Sequence, residues 1–134
     1  MVIVNLTPHN CLILQENSAG DIEGTTETGP TACFKRFCSV MEIAASGTVA
    51  RASQKEEVVG FLKLAGNEIS LIRLTYGKPQ DLPEPREETK YFVSFLTAQA
   101  AQAAGRPTDD LLFSGRLVRD RQGRIIGLAS FGQI

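Results

Sequence analysis

His9 is the only histidine of the sequence, and two further polar residues precede it at alternate positions. On an extended segment, Asn5, Thr7 and His9 would project from the same face, because side chains alternate along a strand. An amide, a hydroxyl and an imidazole on one face predict a ligand-binding surface. The alternative is a turn, since Asn and Thr before Pro8 are common turn residues and His9 would then only bind backbone groups.

Arg51 stands between Ala50 and Ala52, so its guanidinium has room to bind a planar carboxylate or phosphate. Exposure on an outer face is the simple alternative. Ser94 stands where a strand-like run gives way to a helical one, and a helix start offers free N–H groups to an anion. No glycine lies around Ser94, however, so a plain N-cap is the better explanation of this serine. We predict a site centred on Asn5, Thr7, His9 and Arg51, with Ser94 as a further member.

A second group of charged residues lies between positions 106 and 124, where five arginines face three aspartates. The surplus of positive charge could hold an anionic ligand. A solvated hairpin with salt bridges is the alternative. The residues of this group are Arg106, Asp109, Asp110, Arg116, Arg119, Asp120, Arg121 and Arg124.

Other kinds of site have little support in the sequence. There is no CxxC pair for zinc, no glycine-rich phosphate loop and no GxSxG nucleophile elbow. We therefore expect neither a metal nor an organic cofactor. A hydrolase or transferase would have to pair His9 with Thr7, Ser53 or Ser94, so an enzyme is the third-ranked hypothesis. Three cysteines at irregular spacing indicate reduced thiols, although Lys35 and Arg36 lie between Cys33 and Cys38 and could activate one of them.

Length and charge limit the function further. A chain of 134 residues with a net charge of −1 predicts a single domain spanning residues 1–134 and argues against bulk binding to nucleic acid or to an acidic membrane. No apolar run approaches the roughly 20 residues that span a bilayer. The first nine residues lack the basic start and apolar core of a secretory signal, so we expect a cytoplasmic protein.

Short β-rich runs dominate the sequence. We predict a first hairpin or bent strand pair from residues 2–4 and 11–14, a mobile loop over residues 16–38, and strands over residues 40–43 and 48–53. The strongest hairpin signal joins residues 58–64 to residues 69–76 through a turn near Gly66 and Asn67. Both faces of this hairpin would carry apolar side chains, although packing against one core needs only one apolar face. We therefore predict that the chain self-associates as a homodimer. The apolar residues of the hairpin are Val58, Val59, Phe61, Leu62, Leu64, Ile69, Leu71, Ile72 and Leu74.

The second half of the chain contains the one clear helix. Residues 78–88 carry three prolines and predict an extended connector. A strand over residues 89–93 precedes a helix that begins at Ser94 and ends before Gly105. A last hairpin turns at Gln122 and Gly123. These elements predict an α+β fold of predominantly antiparallel sheet, as a partly closed barrel or two-layer sandwich, with one main helix.

Several phrases of the sequence resemble a family of small, largely uncharacterised bacterial and phage proteins. The phrases are Asn5-Leu6-Thr7-Pro8-His9, Ser46-Gly47-Thr48-Val49-Ala50-Arg51, Leu82-Pro83-Glu84-Pro85, Tyr91-Phe92-Val93-Ser94 and Asp120-Arg121-Gln122-Gly123-Arg124-Ile125-Ile126-Gly127. Residues 17–39 lie outside the resemblance, and Ala44-Ala45 stands where the family has two prolines. The resemblance implies a bacterial or phage gene and supplies no activity.

From the sequence we therefore predict a non-catalytic module that binds a small anionic or nucleotide-like ligand. The alternative is a structural or oligomerising protein that binds no small molecule.

Overall fold

A computed structural model describes all 134 residues and contains eleven strands and one helix. In chain order the strands are β1 (Val2–Asn5), β2 (Cys11–Glu16), β3 (Ile22–Gly24), β4 (Lys35–Ile43), β5 (Gln54–Leu64), β6 (Asn67–Tyr76), β7 (Thr89–Phe92), β8 (Leu111–Ser114), β9 (Leu117–Arg119), β10 (Ile125–Leu128) and β11 (Phe131–Gly132). The helix α1 (Phe95–Ala103) lies between β7 and β8.

The strands form two sheets and a separate hairpin. One sheet has the order β1-β7-β8-β11, and the other has the order β3-β4-β2-β10-β9. Paired backbone hydrogen bonds between Thr25 and Arg119 join the outer edges of the second sheet at one point, without making a closed barrel. The predicted α+β fold is confirmed, but both sheets are mixed, because β1, β7 and β8 run parallel in the first sheet and β2 and β10 run parallel in the second.

The core lies in layers around the first sheet. On one side of this sheet, Tyr91 and Leu111 pack with the buried alanines Ala98 and Ala101 of α1, whose small side chains allow close approach. On the other side, Phe92 packs with Cys11 and Leu128 of the second sheet. The β-rich sandwich thus carries its single helix on one outer face.

The first hairpin predicted from the sequence is wrong. β1 pairs with β7 and β2 pairs with β4 and β10, so the two N-terminal strands belong to different sheets. Residues 6–10 turn the chain from one sheet into the other. The parallel partner of β1 lies more than 80 residues away in the sequence, where Val2 faces Thr89, and local turn chemistry carries no information about it.

Two other segments differ from the sequence-based expectation. The stretch predicted as a mobile loop, residues 16–38, contains β3 and the first part of β4. The predicted strand over residues 48–53 is an extended segment with one bridge, in which Arg51 and Gln80 exchange backbone hydrogen bonds. Regular pairing begins only at Gln54. Before it, the Ala50 N–H donates to the Leu6 carbonyl, and the Ala50 carbonyl accepts from the Thr97 hydroxyl of α1.

The hairpin of β5 and β6 is confirmed and extends away from both sheets; we call it the arm. Its turn lies one residue earlier than predicted, because Ala65 and Gly66 take the two positive φ angles, 49° and 80°. Positive φ at both central residues is the two-residue turn that matches the twist of a hairpin. Asn67 instead begins β6.

The helix and the last hairpin follow the sequence prediction. The Ser94 side chain accepts a hydrogen bond from the Thr97 backbone N–H, so Ser94 is the N-cap of α1. Gly105 has a φ of 81° after the helix, as a C′ glycine should. Gly123 has the same φ in the turn between β9 and β10, and β11 then returns to pair with β8.

α1 spans nine residues. No helix of this structure combines the length and apolar character needed to cross a membrane.

Candidate functional site

Asn5 organises the turn between β1 and β2 instead of facing a ligand. Its Nδ2 donates to the carbonyl oxygens of His9, at 2.8 Å, and Ile43, at 3.1 Å. Its Oδ1 accepts from the backbone N–H and the hydroxyl of Thr7, at 3.0 and 2.6 Å. Asn5 is only 1% exposed. The predicted common polar face is therefore not formed, because β1 ends at Asn5 and the chain curls around its amide.

Thr7 and His9 lie at the rim of a cleft that has a volume of about 850 Å³ and a largely apolar wall. We call it the apolar cleft. A volume of this size suits a small organic molecule. The apolar part of its wall comes from the second sheet and from the region where β7 meets α1. Its principal apolar lining residues are Leu12, Phe92, Phe95, Leu117, Ile126 and Leu128.

A second, smaller cleft of about 360 Å³ lies beside Arg51, and we call it the Arg51 cleft. The exposed Arg51 side chain makes no salt bridge, whereas Thr97 anchors the neighbouring backbone by donating from its hydroxyl to the Ala50 carbonyl at 3.4 Å. The first turn of α1 contains no acidic residue, so its positive end is not neutralised there. A guanidinium and a helix start thus border the same small cleft.

The two clefts adjoin, because Thr7 and Ser94 line both. The structure thus brings four of the five predicted site residues to one region: His9 on the apolar cleft, Arg51 on the Arg51 cleft, and Thr7 and Ser94 between them. Asn5 lines neither cleft. Sequence reasoning missed the apolar cleft, because its wall combines β2, β7 and β10, which only the sheet order brings together.

Comparison with family models, with curated proteins and with solved structures finds no match to this chain.

The hydroxyl groups near His9 form hydrogen bonds with groups other than the His9 imidazole. The Thr7 hydroxyl donates to Asn5 Oδ1 and to the His9 carbonyl, and the Ser94 hydroxyl donates to Thr97 Oγ1 at 2.9 Å. No hydroxyl forms a hydrogen bond with the His9 imidazole. Groups of three or more His, Cys, Asp or Glu side chains that could hold a metal ion are also absent.

Two titratable groups have altered acidity. Burial raises the pKa of the Cys11 thiol at the wall of the apolar cleft, which keeps this thiol protonated at neutral pH. A hydrogen bond from the Arg124 backbone N–H lowers the pKa of Asp120, and the Arg124 side chain adds to the effect. The three cysteines are free, and Cys33 is exposed.

The arginines between positions 106 and 124 do not form a single cluster. Arg106 forms a bidentate ion pair with Asp110, at 2.8 and 2.9 Å, beside the end of α1. Arg121 pairs with Glu23, and its guanidinium lies 4.4 Å from the centre of the Phe34 ring. Arg124 pairs with Asp120 within the last hairpin. Salt bridges within the chain therefore use much of the positive charge that could have held an anion.

Proposed function

We propose that the protein is a binding module for a small ligand with an anionic group and a flat apolar part, such as a nucleotide. The observation that carries the proposal is the junction of the two clefts at Thr7 and Ser94. One side of this junction offers positive charge, and the other offers an apolar surface. A ligand lying across the junction would use both.

The anionic group belongs in the Arg51 cleft. A guanidinium without a carboxylate partner can donate two parallel hydrogen bonds to a phosphate or carboxylate. The N–H groups of Phe95 and Leu96, in the first turn of α1, have no acceptor within the helix and would add to this attraction. The Thr7 hydroxyl lies at the same junction and completes a polar border.

The apolar part of the ligand belongs in the apolar cleft. Phe95 lines this cleft and is 52% exposed, although its ring forms a T-shaped pair with Phe113, with the ring centres 4.9 Å apart. An exposed aromatic ring can pack against a planar base or similar group. His9 at the rim supplies a further polar group and can donate or accept a hydrogen bond.

Replacing Arg51 by Ala should weaken binding of a nucleotide by about 1.5–3 kcal/mol, the value of a charge-assisted hydrogen bond. His9→Ala should weaken binding less, because an exposed imidazole at the rim is readily replaced by water. Both variants should remain folded, since neither side chain is buried. The measurement is calorimetric titration with nucleotides found in a thermal-shift screen of nucleotides, cyclic nucleotides and inorganic phosphate.

Arg36→Ala is the matched control, because Arg36 is exposed on β4 and makes no salt bridge. It removes the same charge from the protein but not from the cleft. An equal loss of affinity in Arg36→Ala and Arg51→Ala would show that only net charge matters. Unchanged affinity in Arg51→Ala would contradict the proposed location of the anion.

Self-association is a second candidate function, and the arm is the observation that favours it. Its large apolar side chains are 40–64% exposed, and both of its faces carry them. A lone two-stranded hairpin is at best marginally stable in water, so such an arm needs a covering surface. We propose a homodimer, with an oligomerising or structural role.

Light scattering should give a mass about twice the 14.5 kDa of the chain at high protein concentration. The mass should decrease on dilution, because association follows mass action. A mass that stayed at that of one chain across the whole concentration range would refute self-association.

We propose a cytoplasmic location, which the three free cysteines favour, and a bacterial or phage gene, which the family resemblance favours.

A further inference from the structure

The two faces of the arm carry different residues. Directly opposed residues share a face, and β6 alternates without interruption, so its odd-numbered and even-numbered residues define the two sides. We call them the Leu71 face and the Ile72 face. The Leu71 face carries Gly60, Leu62, Leu64, Ile69 and Leu71, with Glu57 opposite Arg73 and Lys55 opposite Thr75 nearer the base. The Ile72 face carries Val58, Phe61, Ile72 and Leu74, with Lys63 opposite Glu68 near the tip.

Gly60 makes a recess in the Leu71 face. It lies opposite Leu71, and a Cβ atom at Gly60 would meet nothing within 4 Å. Its φ is not in the left-handed region, so the bulge at Val59 does not require glycine there. A glycine inside a strand weakens the strand, and one reason for it is close approach by another molecule. The chain itself provides no such neighbour.

The Leu71 face is complementary to a second copy of itself. Gly60 lies on β5 and Leu71 lies directly opposite it on β6. A twofold axis that runs along the arm, between the two copies, would therefore place each Leu71 over the other copy's Gly60. The same axis would bring Arg73 of each copy over the other copy's Glu57 and Lys55 over the other copy's Thr75, so no like charges would lie directly opposite each other. This matching of one face to itself is the requirement of a symmetric dimer interface.

Building on the proposed self-association, we infer that two copies of the chain dimerise by packing their Leu71 faces together, with a leucine of each copy in the other's Gly60 recess. The arm meets its own body near its base, where the Tyr76 hydroxyl donates to Gln99 Oε1 at 3.1 Å. The apolar residues of the Leu71 face are 47–57% exposed, so this face is open to a partner. The partner is a second copy because its charges and its recess both match.

The test compares Leu71→Asp with Ile72→Asp, by sedimentation equilibrium of the full chain over a range of concentrations. Leu71 and Ile72 are adjacent in β6 and similarly exposed, at 47% and 40%, but their side chains lie on opposite faces. Leu71→Asp should raise the dimer dissociation constant at least about 100-fold, because a symmetric interface loses both copies of the contact. Ile72→Asp should change it less than about 3-fold. Gly60→Val should weaken the dimer at least about 10-fold by filling the recess, without lowering the melting temperature of the monomer.

Each outcome decides between separate ideas. A wild-type chain that stays monomeric overturns both self-association and this interface. A dimer that is disrupted by Ile72→Asp and not by Leu71→Asp keeps self-association and overturns the choice of face. A dimer that tolerates both substitutions overturns the arm as the interface. A monomeric wild-type chain that sediments with phosphatidylcholine vesicles shows that a lipid surface, not a second copy, covers the arm.

Discussion

Replacing Asp110 by Ala is expected to destabilise the protein by about 3–5 kcal/mol, the usual cost of removing one partner from a buried ion pair. The side chains of Arg106 and Asp110 are only 14% and 9% exposed. Arg106 also donates to the carbonyls of Pro83 and Pro107, both at 2.7 Å. In the Asp110→Ala variant the guanidinium keeps these two acceptors but loses its charge partner.

The ion pair matters because of the segments that it connects. Arg106 follows α1, Pro83 lies in the proline-rich connector, and Asp110 immediately precedes the core residue Leu111 of β8. These three segments share no regular hydrogen-bond ladder with one another. Loss of the Asp110 carboxylate removes the charged partner that holds Arg106 between these segments, so it should lower the free energy of unfolding.

Asp109→Ala is the matched control, because Asp109 is exposed and only its backbone oxygen accepts hydrogen bonds, from Lys90 and Gln133. Its expected effect is within about 0.5 kcal/mol, as for an ordinary surface substitution. Urea unfolding measures both variants. The double variant Arg106→Leu/Asp110→Leu should be more stable than Asp110→Ala, since it leaves no unpaired buried charge. If the free energy of unfolding of Asp110→Ala fell by less than about 1 kcal/mol, water would have replaced the carboxylate as the partner of Arg106, and the prediction would be wrong.

The sequence predicts those parts of the fold that depend on local backbone chemistry. Gly66, Gly105 and Gly123 all take positive φ where turn and cap rules place them, and Ser94 caps the helix. A left-handed conformation is costly for other residues, so glycine marks such positions directly. The arm is also predictable, because β-rich runs on both sides of a two-residue turn can pair with little loop entropy.

Pairing between distant segments is not predictable in the same way. β1 reads as half of a local hairpin, yet it lies parallel to β7 because Leu6 and Val4 complete the core around Tyr91. Nothing in the four residues of β1 distinguishes these two partners. The apolar cleft is formed by this order of strands, so local sequence patterns do not predict the cleft either.

The residues of the candidate site also fall into two groups, those that local sequence identifies correctly and those that it does not. Residue type and neighbours single out Arg51 and Ser94, and the structure places both at one cleft. Strand alternation puts Asn5 on a common face with Thr7, but alternation fails where a strand ends. An Asn two residues before a Thr that is followed by Pro is typical of a side chain that caps a turn, and this is what Asn5 does. The spacing of four residues between Arg106 and Asp110 indicates an ion pair more directly than it indicates a surplus of positive charge.

Asn5→Asp is expected to destabilise the protein at neutral pH by about 3–5 kcal/mol, since it buries a charge in place of an amide. A carboxylate keeps the acceptor for Thr7 but loses both donors, so negative charge would face the His9 and Ile43 carbonyl oxygens. Burial and these oxygens favour the protonated acid and would raise its pKa in the folded state above the value of about 3.9 for an unfolded chain. The penalty should then be smallest below about pH 4, grow as pH rises to the folded-state pKa, and stay constant above it.

Urea unfolding of Asn5→Asp and wild type at several pH values tests this expectation. Asn17→Asp is the control, because the exposed Asn17 uses its Oδ1 to accept from the Ala19 N–H, and a carboxylate keeps that bond. It should change stability by less than about 0.5 kcal/mol. Equal, pH-independent effects at both positions would show that Asn5 does not organise the turn. A large loss confined to Asn5→Asp would mean that the turn bearing Thr7 and His9, and with it the rim of both clefts, depends on one buried amide.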